Sequence, residues 1–198
     1  MSEELIEVEI KKVVGPTSNG AAVLIGNDEK TFVIFIGFYE AAALLREIKD
    51  EQAPRPLTHD LLQSVFLGFD IGIRQIIISD IVENAFCATL ILEQREHAAG
   101  DLRNEVRIDA RPSDCMVLAV KNQSDLFVTR GVFDQVQDFS DFVNEDASTL
   151  GSLFAGELSE EELATRTEGL PIDFPEVSTS GDGDPRAEDE ETEEDQES

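Results

Sequence analysis

His59 is one of only two histidines in the chain, and it lies in Arg55-Pro56-Leu57-Thr58-His59-Asp60-Leu61-Leu62. That run puts a cation, a hydroxyl, an imidazole and a carboxylate close together. A second run of the same character is Ile108-Asp109-Ala110-Arg111-Pro112-Ser113-Asp114, and Glu40 stands in Phe35-Ile36-Gly37-Phe38-Tyr39-Glu40-Ala41. These residue types suit phosphodiester hydrolysis, which needs a group to activate water, positive charge on the phosphate and a proton donor to the leaving oxygen. His59 is the best general base or acid. Asp60, Asp109, Asp114 and Glu40 are carboxylates for acid/base work, or for holding Mg2+ or Mn2+ in a metal-dependent version of the reaction. Arg55 and Arg111 are candidate phosphate holders. Thr58 and Ser113 stand at the starts of expected helices, whose free N–H groups favour anions.

The same residues have a plain structural reading. Asp60 and Asp114 fall in first helical turns, where the helix dipole favours acids without any chemistry. Thr58 and Ser113 are natural capping types. Arg55 and Arg111 each precede a proline, and bidentate pairs with Asp60, Asp109 or Asp114 would lock the loops. His59 would then be a hydrogen-bonded structural histidine. The second histidine, His97, lies in a polar loop with no partner pattern and is given no role.

The elements that must position these groups follow from hydrophobic period and turn chemistry. Strands are expected over residues 5–14, 21–25, 31–36, 73–81, 85–92, 106–110 and 126–128. Residues 15–20, Gly-Pro-Thr-Ser-Asn-Gly, carry a turn signal, and Gly26-Asn27-Asp28 closes a hairpin. Residues 39–49 are rich in Ala, Leu and Glu and read as a helix with an Ala41, Leu44, Leu45, Ile48 stripe. A second helix begins at Thr58 as N-cap, with Leu61, Leu62, Val65, Phe66 and Phe69 as its buried face. A third begins with Pro112 at its first position. Hairpin-like strand pairs with helices between groups of them predict an α+β fold, a largely antiparallel sheet with about three helices. The domain is expected over residues 1–136. A weakly helical acidic extension follows over 137–175, where Ser159-Glu160-Glu161-Glu162 fits a capping box, and a disordered acidic tail over 176–198.

Charge is unevenly placed. The formal net charge is -28, yet residues 134–198 alone hold 22 acidic residues and two arginines. A mildly acidic domain therefore carries a very acidic extension. Its field repels phosphate backbones at long range, so nucleic-acid binding must rest on local features. A solvated, solubilising end is the plain expectation for the extension; a basic partner, or competition with nucleic acid for the domain's cations, is the sharper one. The acidic start MSEELIEVEI is unlike a secretory signal. The most apolar run, residues 32–38, is too short for a bilayer, which needs about 20 residues. A cytoplasmic protein without a membrane partner is expected. Cys87 and Cys115 have no metal-ligand spacing, and a disulfide is not expected in that compartment.

In order and spacing these segments, with Phe86-Cys87-Ala88-Thr89-Leu90 between them, resemble the bifunctional nuclease family. Its pattern runs I-G-x-x-E-A, R-P-x-T-H-D-L, F-Y/F-A, then D-A-R-P-S-D-A. The likeness covers roughly residues 4–133, about two-thirds of the chain. Cys87 stands where an aromatic is common and Cys115 where Ala is usual, and neither removes a polar candidate. The resemblance implies an α+β fold, a homodimer, and nuclease activity on RNA and DNA. It supplies no catalytic mechanism, and fold alone does not fix function.

Two functions follow for the domain. One is a nuclease. The other is a non-enzymatic dimeric scaffold or regulatory module whose polar motifs hold the fold and bind a partner. The acidic charge, the lack of metal-ligand spacing and the lack of aromatics among basic residues favour the second. Whether His59, Asp60, Asp109 and Asp114 share one open cleft separates them.

Overall fold

The computed structural model describes residues 4–17, 20–94 and 105–145. His97 and the segment from residue 146 onward, including the expected capping box and acidic tail, lie outside the described residues.

Seven strands form one sheet: β1 (Leu5–Thr17), β2 (Gly20–Gly26), β3 (Thr31–Gly37), β4 (Ile71–Val82), β5 (Ala85–Gln94), β6 (Glu105–Ala110) and β7 (Leu126–Thr129). Their order is β3-β2-β1-β7-β4-β5-β6. Every neighbouring pair is antiparallel except β4 and β7. The helices are α1 (Phe38–Ile48), α2 (Thr58–Gly68), α3 (Pro112–Asn122) and the short α4 (Arg130–Gln135). The fold is thus α+β with a mostly antiparallel sheet, and the expected strands and three long helices are all present.

Several details depart from the sequence expectation. Pairing of β1 with β2 continues to Thr17 opposite Gly20, so the strand runs through Gly15 and Pro16 where a turn was expected. Register shifts after Ile10 and Val14 absorb the irregularity. Gly20 has φ +152°, and a Cβ there would meet Ile36 O at 1.9 Å, so only glycine fits this approach of β2 to β3. Helix α4 was not expected; Thr129 caps it by accepting from the Val132 N–H at 3.3 Å.

The core shows why the elements adopt their faces. Val23, Ile25, Ile34, Ile76, Ile78, Leu90 and Val128 pack with Leu44, Met116 and Val117 of α1 and α3. β2 is buried on both faces, which its run of small and branched residues permits. On the second face Ala22, Leu24 and Val14 meet Phe142 and Val143. Residues 138–143 are tied there, because Phe139 N donates to Thr31 O at 2.6 Å and Asp138 accepts from Thr31 N at 3.2 Å. A 3-10 turn, Ser140–Phe142, follows.

Two expected stripes were too wide. Ile48 of α1 is 46% exposed. In α2 only Phe66 is buried, while Leu61, Val65 and Phe69 are exposed and Leu62 is half-buried. α2 leans on α3 and β4 through one narrow face, so most of its apolar surface stays open.

Candidate functional site

The three polar motifs converge because each ends at a helix start. Gly37 precedes α1, Leu57 precedes α2 and Arg111 precedes α3. Pro112 fills the first position of α3, where its missing N–H costs nothing. Asp114 and Glu40 occupy the first turns of their helices.

Asp114 is the hub. His59 Nε2–H donates to its Oδ1 at 3.2 Å. Arg111 grips the same carboxylate through Nε to Oδ2 at 2.9 Å and Nη2 to Oδ1 at 3.4 Å. Arg111 Nη1 donates to Glu40 Oε1 at 2.7 Å. Glu40 is itself held by close packing at the motif glycine, since a Cβ on Gly37 would lie 2.4 Å from Glu40 Oε2. A chain of contacts thus links Gly37, Glu40, Arg111, Asp114 and His59, drawn from motifs distant in sequence. The neighbouring Asp114 and Glu40 carboxylates raise the Arg111 pKa above its ordinary value. The Arg111 side chain is nevertheless 65% exposed, against 18% for His59. A guanidinium open to solvent beside a sheltered imidazole can meet an anion.

Three of these groups, His59, Arg111 and Asp114, border a cavity of about 710 Å³, and Glu40 is not among its lining residues. Thr58, His59, Asp109, Arg111 and Asp114 line it together with an apolar set that includes Phe66 and Phe86. Cys87 lines it also. Asp109 is exposed near the end of β6 and pairs with Thr89 in the sheet register. Cys115 lies beneath, fully buried, its thiol pushed up to about 12 by burial and by the charges of Asp114 and Asp109. It stays protonated and unreactive at neutral pH.

Asp60 points elsewhere. Its Oδ1 takes Lys121 Nζ at 2.6 Å, and its Oδ2 accepts from the Leu57 N–H at 2.7 Å. The Lys121 bond, then the backbone bond, holds its carboxyl below the usual range. Lys121 also donates to both Glu47 oxygens, at 2.9 and 3.0 Å. Burial alone would lower the Lys121 pKa, but its two carboxylate partners outweigh burial and raise it. This is a clasp joining α1, α2 and α3.

Two capping expectations are therefore corrected, and one phosphate candidate lies apart. Thr58 is the first residue of α2 rather than its N-cap; the residue ahead of it is Leu57, and Asp60 reaches back to satisfy that N–H. Ser113 is buried inside the first turn of α3, caps nothing and does not line the cavity. Arg55 is exposed in the loop before α2 and does not line the cavity. Glu47 and Lys121 were missed. Each looked like an ordinary surface residue of an amphipathic helix, and only packing of the helices brings them together.

Among the described residues, no three His, Cys, Asp or Glu side chains gather to hold a metal ion. Asp114 already faces Arg111 and His59, and Glu40 faces Arg111, so this donor set does not fit Mg2+ or Mn2+. No helix among the described residues is long and apolar enough to cross a membrane.

The family model described as "Bifunctional nuclease domain" matches residues 22–140. Two curated proteins of Mycobacterium tuberculosis are similar: "Uncharacterized protein MT1877" of strain CDC 1551 / Oshkosh and "Uncharacterized protein Rv1829" of strain ATCC 25618 / H37Rv. Each is 31% identical over 127 residues, which is 62% of this chain and 70% of the relative. The matched region covers most of β2, strands β3 to β7, the three helix starts and the Asp114 cluster, and on that ground the chain belongs to the bifunctional nuclease domain family.

Proposed function

We propose that the domain hydrolyses phosphodiester bonds in RNA, DNA or both, with His59 as the proton-transfer group. The observation that carries this reading is the His59–Asp114–Arg111 array at the mouth of one cavity. Asp114, gripped by Arg111, fixes the imidazole by accepting from its Nε2–H. The other ring nitrogen then takes a proton from the attacking water. As the new oxygen–phosphorus bond forms and the old one breaks, that proton passes to the leaving oxygen. Arg111 steadies the phosphate charge. Such a dyad contributes about 10²- to 10⁴-fold. Asp109 stands nearby as an exposed carboxylate, and Thr58 as a hydroxyl on the rim. No step here passes through a metal.

The rival reading has its own observation. Glu40 and Asp114 both occupy Arg111, as they would in a clamp built only to lock three helix starts together. In that case the domain is a scaffold or regulatory module. We also propose that it forms a homodimer, as the resemblance implies. The open apolar side chains Leu57, Leu61, Val65 and Phe69 of the α2 region support that, because a contiguous apolar stripe is a common contact surface.

The test is a cleavage assay on RNA and on single- and double-stranded DNA at low salt, in EDTA, Mg2+ or Mn2+. Wild type is compared with His59→Ala and Asp114→Asn at matched thermal stability. Cleavage by wild type that both folded variants lose supports the nuclease. Equal cleavage by all three points to another site or a contaminant, and no cleavage under any condition favours the scaffold.

A further inference from the structure

The cavity combines polar and apolar lining, and the two helices that border it explain how. On α2, His59 is followed by Leu62 and Phe66 on the same side, three and seven residues on. On α3, Asp114 is followed by Leu118, four residues on. At 1.5 Å per residue these side chains lie about 4.5 to 10 Å further along α2 and about 6 Å along α3. β5 and β6 add Phe86, Leu90 and Ile108 to the apolar lining, and the register Ala88 opposite Ala110 puts Phe86 on the Arg111 side of that pair. The imidazole, the Asp114 carboxylate and the guanidinium therefore gather at the helix starts, and apart from Asp109 on β6 the rest of the lining offers no charge.

Phe86 is held in place from behind. Its ring stacks on buried Phe32, with centroids 5.9 Å apart and planes 24° from parallel. A flat ring fixed in this way is a preorganised platform for another flat ring. The volume falls within the usual range for small-molecule sites, roughly 300–1,000 Å³.

We propose that this apolar lining is the floor of a nucleobase subsite, which takes one unstacked base of the substrate against Phe86 while the adjoining phosphate stays at Arg111 and His59. The proposal rests on the phosphodiester reading of the polar groups. It adds what that reading leaves open, namely how a chain of net charge -28 holds a polyanion. Stacking and apolar burial supply attraction that the overall field opposes. A base still stacked and paired in a duplex cannot enter without being flipped out, so unpaired ends and loops are the favoured substrates.

The test measures binding, in EDTA and without reference to cleavage. The probes are adenosine 5′-monophosphate, ribose 5-phosphate and octyl phosphate. The full chain should prefer adenosine 5′-monophosphate to ribose 5-phosphate by roughly 10- to 100-fold, the worth of one stacked base. Phe86→Ala should erase that preference. Leu62→Trp fills the floor while leaving the Phe32–Phe86 stack intact, and should erase it too, which covers the case in which Phe86→Ala fails to fold. Equal binding of adenosine 5′-monophosphate and ribose 5-phosphate would overturn the subsite. So would tighter binding of octyl phosphate, which would mark a merely greasy cavity, or an unchanged preference in Leu62→Trp. Base preference without cleavage would sink the nuclease reading and keep the subsite; cleavage without base preference would do the reverse.

Discussion

Replacing Lys121 with Met should weaken the fold more at neutral pH than in acid. Lys121 Nζ sits between Asp60, at 2.6 Å, and Glu47, at 2.9 and 3.0 Å. Its side chain is only 12% exposed, while those of Glu47 and Asp60 are 20% and 31% exposed. A fully exposed pair contributes about 0–1 kcal/mol, and orphaning a buried partner costs about 3–5 kcal/mol. The clasp lies between these limits and is partly screened by solvent, so about 2 kcal/mol is expected at pH 7. For a domain of this size that corresponds to a fall in Tm of about 7 °C.

The pH dependence follows from the directions of the two shifts. The Asp60 carboxyl is held below its ordinary value, so its contribution is present above the unfolded pKa of about 3.9 and is lost as pH falls through the folded value. Lys121 is held above its ordinary value, so its contribution is present below an unfolded pKa of about 10.4 and fades only in strong alkali. Neutral pH lies inside both windows. Urea unfolding of wild type and Lys121→Met at pH 7 and pH 3 should show a gap that narrows in acid. An equal gap at both pH values would refute the charge argument and assign the loss to packing of the lysine stem.

Five other outcomes are expected. Asp114→Asn and His59→Ala should each cut any phosphodiester cleavage by about 10²- to 10⁴-fold while shifting Tm by only a few degrees, as steady-state rates and thermal melts would show. Gly37→Ala should push the Glu40 carboxylate off Arg111 and cost about 1 kcal/mol in urea unfolding; Gly37→Ala in a Glu40→Gln background should cost less, because the displaced ion pair is already weakened. Removing residues 146–198, which carry 18 acidic residues and two arginines, should tighten binding of single-stranded nucleic acid at low salt and change little at high salt. Truncation at residue 137 should instead destabilise the domain, because Phe139, Phe142 and Val143 pack against it. Leu61→Glu should convert a dimer to a monomer in sedimentation velocity if the open α2 stripe is the contact surface.

The order of strands and helices was legible because period-2 and helical spacing are local properties of the chain. Proline and glycine marked most of the boundaries, and Pro112 opened α3 where its chemistry said it would. Order along the chain does not give order across the sheet. β7 inserts between β1 and β4, and pairs in parallel with the latter, through contacts that no local pattern records. The depth of burial was also hidden. The α2 sequence is apolar around much of its circumference, and only packing decided that Phe66 goes inside while Leu61 and Phe69 do not.

The candidate site divides the same way. The residue types alone named His59, Arg111 and Asp114 as candidates, because few side chains move protons or bind phosphate. They could not separate His59 from Asp60, which stand side by side in one motif. Successive residues of an α-helix point about 100° apart. That angle sends His59 to Asp114 at the cavity and Asp60 to Lys121 on the other side of the helix. The sequence supplies the functional groups; the angle between neighbours and the packing of three helices decide which of them meet.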